Sequence, residues 1–181
     1  MARRRRLAIR WWILLLMVLV AALRFAQREP LWAPDPQQPV RVKRVIDGDT
    51  LVIANGDRVR LLGIDTPELG RGGHPAEPWA EAARDFLKTA VEGRDISLGF
   101  DREPTDKYGR RLAYVYRNGT LINEEIIRAG FSRAVTRFPY HESMKVRFRN
   151  AEREARTHKR GLWSASASSS PSVPAEEFQH Q

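Results

Sequence analysis

The alternation of apolar and polar positions divides the chain into four stretches. The first carries Arg3 to Arg6, then Arg10, then an unbroken apolar run from Trp11 to Leu23. That run has 13 residues, short of the roughly 20 a spanning helix needs and within the range of a signal-peptide core. It lengthens back to Leu7 if Arg10 snorkels towards the headgroups. Cleavage signals are poor. Val20-Ala21-Ala22 lies inside the apolar run, and Arg24-Phe25-Ala26 puts Arg where a small residue is wanted. We read residues 1–28 as a basic flank plus an uncleaved signal-anchor that attaches the chain to a membrane. A signal that is cleaved to release a secreted protein is the alternative. In both cases the positive flank stays cytoplasmic and the remainder is expected on the non-cytoplasmic side, periplasmic or extracellular. Residues 29–39 are too rich in proline for helix or sheet and read as a linker. Residues 165–181 follow a Ser-rich pattern and are expected to form a disordered tail.

Residues 40–164 hold the foldable pattern. Val40 to Ile46, Thr50 to Ala54 and Asp57 to Ile64 are β-rich runs separated by Asp47-Gly48-Asp49 and Asn55-Gly56, both turn signals. In the third run Val59, Leu61 and Gly63 alternate with Arg60 and Leu62. Glu77 to Glu92 reads as a helix, with Pro78 in its first turn and Trp79, Ala83, Phe86, Leu87 and Ala90 at helical spacing. Asp95 to Asp101 and Arg110 to Arg117 add two more strands. Ile122 to Ala129 is a short helix. Glu142 to His158 is a longer one, with Met144, Phe148, Ala151 and Ala155 on one face. Five strands with about three helices and no βαβ rhythm predict an α+β fold, a small barrel of the OB type, which commonly binds oligonucleotides.

Charge sharpens that expectation. The net charge of +9 comes from 31 basic and 22 acidic residues. Seven Arg against one Glu stand in residues 1–30, so the N-terminal charge is a separate feature. Residues 40–164 still carry 24 basic against 18 acidic residues, which suits a polyanionic partner. Cysteine is absent, which excludes a disulfide framework, a thiolate zinc site and a cysteine nucleophile. His141-Glu142 starts like a zinc-protease helix, but Lys145 stands where the second His must be. Counted from Asp47, an EF-hand loop would place Leu51 and Arg58 at ligand positions.

What is left is a set of short polar segments: Asp47-Gly48-Asp49-Thr50, Arg60, Asp65-Thr66-Pro67-Glu68 and Asp106-Lys107-Tyr108-Gly109-Arg110. Each alone is an ordinary turn or a solvated strand residue. Together they supply what phosphodiester hydrolysis asks for. Carboxylates suit a hard cation, a further carboxylate can act on water, and two arginines can pair bidentately with phosphate oxygens as negative charge builds.

The segments Val45–Thr50, Arg60–Glu68 and Thr105–Tyr114, followed by Gly161-Leu162-Trp163, closely resemble the staphylococcal nuclease (thermonuclease) family, over the whole of 40–164. The resemblance implies an OB barrel with three helices. It implies Asp49 and Asp65 as carboxylate ligands of Ca²⁺, with the Thr66 carbonyl as a further ligand. Glu68 would act on the attacking water, and Arg60 and Arg110 on the phosphate. Lys107 and Tyr108 would contact the nucleotide end. The implied substrates are DNA and RNA, cut with little sequence specificity, and the catalytic domain is expected to be monomeric. The stretch Leu69–Pro75 and the loop Arg137–His141 depart from the best-known member of that family, so no base-stacking role is carried to Phe138 or Tyr140. The competing class is a membrane-tethered OB barrel that binds nucleic acid or protein with little or no catalysis. In this sequence none of the catalytic positions is lost.

Overall fold

A computed structural model of the chain describes residues 15–19, 38–70 and 72–164. The chain divides into two units, Met1–Pro30 and Leu31–Gln181. Of the first, residues 15–19 are helical. No helix among the described residues is long and apolar enough to cross a membrane. The anchor expected over 1–28 lies outside the described residues except at 15–19. Most of the linker and the Ser-rich tail also lie outside them.

The second unit is built on three consecutive antiparallel strands. β1 (Val40–Asp47) pairs with β2 (Thr50–Ile53), which pairs with β3 (Arg58–Leu61). The turns between them fall at Gly48 and at Asn55-Gly56, as the sequence predicts. The third run breaks earlier than expected. Gly63 adopts φ 78, outside the strand region, and a two-residue strand β4 (Ile64–Asp65) leaves in a new direction. A side chain at Gly63 would also stand 2.6 Å from the Phe148 ring, so only glycine fits this bend.

The first helix, α1 (Ala80–Val91), buries Ala83, Phe86, Leu87 and Ala90, the face that the periodicity marks. It starts later than Glu77. Glu77 and Pro78 belong to the preceding loop, and Trp79 turns the chain with a left-handed φ of 73. β5 (Asp95–Gly99) and β6 (Arg111–Arg117) form the second antiparallel pair. β7 (Thr120–Leu121) returns against β6 and leads into α2 (Ile122–Arg128). β8 (Arg133–Ala134) pairs with β4, and α3 (Glu142–Thr157) follows, burying Met144, Phe148, Ala151 and Ala155. A 3₁₀ turn at Gly161–Trp163 ends the described part.

One contact makes the sheet a barrel. β3 pairs with β6 in parallel, Val59 with Arg111, Arg60 with Leu112 and Leu61 with Ala113, so the order β3-β2-β1-β5-β6 closes on itself. Inside sit Val42, Leu51, Ile53, Val59, Leu61, Ile96, Ala113 and Val115, all nearly inaccessible to water. Where the short β3–β6 ladder ends, Asn123 at the start of α2 bridges the two strands. Its side chain, fully buried, donates to the carbonyls of Leu62 and Ala113 and accepts the Val115 N–H. Asn123→Ala would leave the Val115 N–H and the Leu62 carbonyl without that partner in the core, while the Ala113 carbonyl keeps the Leu62 N–H. We expect it to lower stability by about 3 kcal/mol, the cost of leaving buried polar groups unpaired. The urea midpoint should drop while the denaturant slope stays constant; an unchanged midpoint would contradict this role for Asn123.

Candidate active site

The β1–β2 turn carries the first acids. Gly48 lets it press against the neighbouring segment, because a side chain there would stand 2.8 Å from the Thr66 hydroxyl and from Ala83. Asp49 is 3% exposed. Its carboxylate accepts the Thr50 hydroxyl at 2.8 Å and an Arg60 Nη1–H at 2.6 Å. The Leu61 N–H donates to the Asp49 carbonyl, tying the turn to β3. The same guanidinium reaches Asp65 on β4 through Nη2, at 3.5 Å. Arg60 therefore stands between the two acids, and Thr50 is its register partner on β2.

Asp65 is half exposed at its side chain, but its backbone is fixed. The Asp65 N–H donates to the hydroxyl of Ser132, a fully buried residue that in turn donates to the Arg133 carbonyl. At the other end of the Asp65–Glu68 segment, the Glu68 N–H donates to the Glu77 carboxylate, and the Glu77 N–H donates to the Glu68 carbonyl. The exposed side chain of Glu68 is thereby set at the neck of the loop that runs to Glu77.

The third segment is shaped by Asp106. Its carboxylate accepts the N–H groups of Tyr108 and Arg110 and the Arg110 Nε–H, the last at 2.7 Å. Burial raises the pKa of this acid, but the hydrogen bonds and charge of Arg110, with the Tyr108 N–H, outweigh burial and hold it below its ordinary value. The Arg110 guanidinium and the Lys107 ammonium lie 5.4 and 5.0 Å from the centre of the exposed Tyr108 ring.

These pieces share a cleft of about 750 Å³, lined by Asp47, Arg60, Glu68, Lys107, Tyr108 and Arg110, with Arg137 and Phe138 on its rim. Five of the eight residues singled out in the sequence thus face one space. Asp49 joins them through its ion pair with Arg60. Asp65 does so too, but it also lines, with Thr66, a neighbouring hollow of about 410 Å³ beside Trp79 and Arg133. Three residues that organise the site carried no assigned role in the sequence reading: Asp106, Glu77 and Ser132. Asp106 is legible as an Asx turn ahead of Gly109. Glu77 and Ser132 act through contacts that no local pattern announces.

Asp49 is pushed up to about 7 from an ordinary 3.8. Burial is the main cause, Arg60 pulls the other way, and the neighbouring Asp47 adds repulsion. A buried acid with too little compensating charge is a good place for a cation. Among the described residues no three acidic, His or Cys side chains converge. The two carboxylates that share Arg60 are hard oxygen donors. They suit an ion such as Ca²⁺ that tolerates irregular geometry and fills its shell from solvent. Without divalent ions the Asp49 shift makes its own contribution to the pH dependence of stability. Between about pH 4 and pH 7 the folded protein keeps a proton on Asp49 that the unfolded chain releases, so this group's contribution to stability falls as pH rises through that window and levels off above it. In chelator, the parent should lose stability across this range relative to Asp49→Asn, as read from urea midpoints. Identical pH profiles for the two would contradict the burial argument.

The family model described as staphylococcal nuclease homologue matches residues 58–165. A thermonuclease of Staphylococcus intermedius is 38% identical over 125 residues, covering 67% of this chain and 74% of its own length. A thermonuclease of Staphylococcus hyicus is 33% identical over 131 residues, covering 71% and 77%. Endonuclease YncB of Bacillus subtilis is 38% identical over 131 residues, covering 70% of this chain and 62% of the relative.

Proposed function

The chain belongs to the staphylococcal nuclease family, and on that premise we propose that it is a Ca²⁺-dependent nuclease that hydrolyses phosphodiester bonds of DNA and RNA. The observation that carries this reading is the position of Arg60, paired with Asp49 and Asp65 and open to the cleft that Glu68, Lys107, Tyr108 and Arg110 share. Relatives named thermonuclease and endonuclease support the reaction class.

In this reading Asp49, Asp65 and the Thr66 carbonyl hold the cation. Bound Ca²⁺ supplies a hard positive charge to a phosphate oxygen. Arg60 and Arg110 approach from β3 and from the loop before β6, the two strands whose pairing closes the barrel. Their planar forks can each take two phosphate oxygens, and they act most when a pentacoordinate phosphorus carries extra negative charge. Glu68 accepts a proton from the attacking water. Lys107 and Tyr108 hold the nucleotide end of the substrate. The domain works behind the N-terminal segment, attached to a membrane and facing the non-cytoplasmic side.

Chelation should abolish hydrolysis, and Ca²⁺ should restore it better than Mg²⁺, which demands stricter geometry. Full hydrolysis in excess chelator would remove the cation from this account. Arg60→Lys and Arg110→Lys keep the charge but lose the fork. Each should cost about 10²–10³ in turnover, the scale for a lost donor at developing charge. Glu68→Gln should lose turnover while still binding single-stranded DNA. Parent-like hydrolysis in all three variants, with parent-like circular dichroism, would overturn the catalytic assignment and leave an enzyme that uses other residues; no hydrolysis by the parent itself would leave a binding barrel. For location, protease added to intact spheroplasts should clip the domain, and protection until lysis would refute export.

A further inference from the structure

The outer face of the barrel next to the cleft carries a second row of cationic side chains. Register fixes where it lies. Asp47 pairs with Thr50, Thr50 with Arg60, and Arg60 with Leu112. These four form one outward row across β1, β2, β3 and β6, and Asp47, Arg60 and Leu112 line the cleft. The next outward row, one pleat repeat along, pairs Arg44 with Val52 and Val52 with Arg58. Arg58 and Arg60 flank the inward Val59 on β3 and so project to the same side, about 7 Å apart along the strand. Arg44 and Arg58 stand on either side of Val52, roughly 10 Å from each other across two strand spacings.

An arginine on an exposed strand is by default a solvated side chain. Register, exposure and the residue between them bear on this pair together. Both are exposed, and no acid among the described residues pairs with either, whereas half of the domain's described arginines have such a partner. The nearest acid in sequence, Asp57, is turned to Asn55 and Arg111. Val52 lies outside the main hydrophobic cluster, on the outward face, yet is 7% exposed. Long arginine stems can cover such a residue while their heads stay in water, which would hold both guanidinium groups near the surface of the row.

We propose that Arg44 and Arg58 form a phosphate track for the single-stranded polynucleotide leaving the cleft, continuing from Arg60 across the barrel. The proposal rests on the nuclease reading for what occupies the cleft and extends it to nucleotides that are not cut. Two unmatched guanidinium groups suit repeated phosphates, whose neutralisation releases counterions. The row reads no bases, so binding should gain with strand length and not with sequence.

The test measures binding of the full chain to oligothymidylates of about four and about twenty nucleotides, in chelator, across a salt series. Glutamine replaces arginine so that part of the stem still covers Val52. Each of Arg44→Gln and Arg58→Gln should lower the slope of log affinity against log salt by about 0.7 for the long strand, and the double variant by about 1.4. The short strand should show a smaller change. Lys43→Gln removes an equal charge at the neighbouring bulge, outside the row, and should change the slope less than either arginine variant. An unchanged slope in the double variant, with parent-like circular dichroism, overturns the proposal. An equal effect of Lys43→Gln overturns it too, since net charge alone would then explain the loss. If only binding to anionic phospholipid vesicles weakens, the row faces a membrane and the assignment fails. Hydrolysis by the parent with Ca²⁺ is assayed separately. A parent that cuts nothing but loses slope in the variants sinks the nuclease reading and keeps the track.

Discussion

Asp49 places a carboxylate where almost no water reaches it, and the Arg60 guanidinium 2.6 Å away is the main compensation it has. Burial still wins, which is why the acid is pushed up to about 7. The rest of the site is arranged around that imbalance. Gly48 allows the turn to sit against Thr66, Thr50 donates a further hydrogen bond, and Asp65 shares the same arginine. A pair of this kind is weak support for stability, because desolvating two charges offsets much of their attraction. Its value is in leaving a buried acid poised for an additional positive charge.

Closure of the barrel is what turns separate segments into one site. Arg60 and Arg110 are 50 positions apart in sequence. The parallel pairing of β3 with β6 brings Arg60 beside Leu112, two residues from Arg110. Asn123 secures the same seam from beneath, through Leu62, Ala113 and Val115. The acidic segment between them is fixed by side chains from elsewhere, Ser132 holding the backbone of Asp65 and Glu77 that of Glu68. The loop between Glu68 and Glu77 can then be exposed and glycine-rich without loosening the residue at its neck.

Much of this was legible in the residues. Alternation of Val59 and Leu61 with Arg60 predicts a strand with an outward arginine, and the structure has it. Helical spacing of Ala83, Phe86, Leu87 and Ala90, and of Met144, Phe148, Ala151 and Ala155, marks the buried faces correctly. Turn chemistry locates both hairpins. The bend at Gly63 is invisible to pattern because glycine alternates with its neighbours as well as any small strand residue; what demands glycine there is the Phe148 ring, far along the chain. Pattern puts the start of α1 at Glu77 because Glu is a good helix former, whereas its carboxylate is engaged with the Glu68 N–H and the helix starts at Ala80. β8 is two residues long and exists only against β4, below the length at which a pattern can register. Of the eight site residues that the sequence marks, five line one cleft; they meet through the parallel seam, which pairs segments too far apart for any periodicity to report.

The two arginines show how a guanidinium can be held and still be available. Arg60 commits one N–H of Nη1 to Asp49 and one of Nη2 to Asp65. Arg110 commits Nε to Asp106, and its backbone N–H reinforces the same acid. A guanidinium has five N–H donors, so Arg60 keeps three and Arg110 keeps four. Each fork is therefore oriented by a carboxylate through part of its donors and leaves the rest to the cleft. A lysine could not divide itself in this way. Its three donors converge on one atom, and an ammonium placed on Asp49 would stand where the acid puts it, with no rigid plane to extend towards a phosphate. The anchoring also limits the entropy that the side chains lose on meeting a substrate, since their conformations are already selected. Carboxylates that look like competitors for the arginines are in this arrangement what aims them.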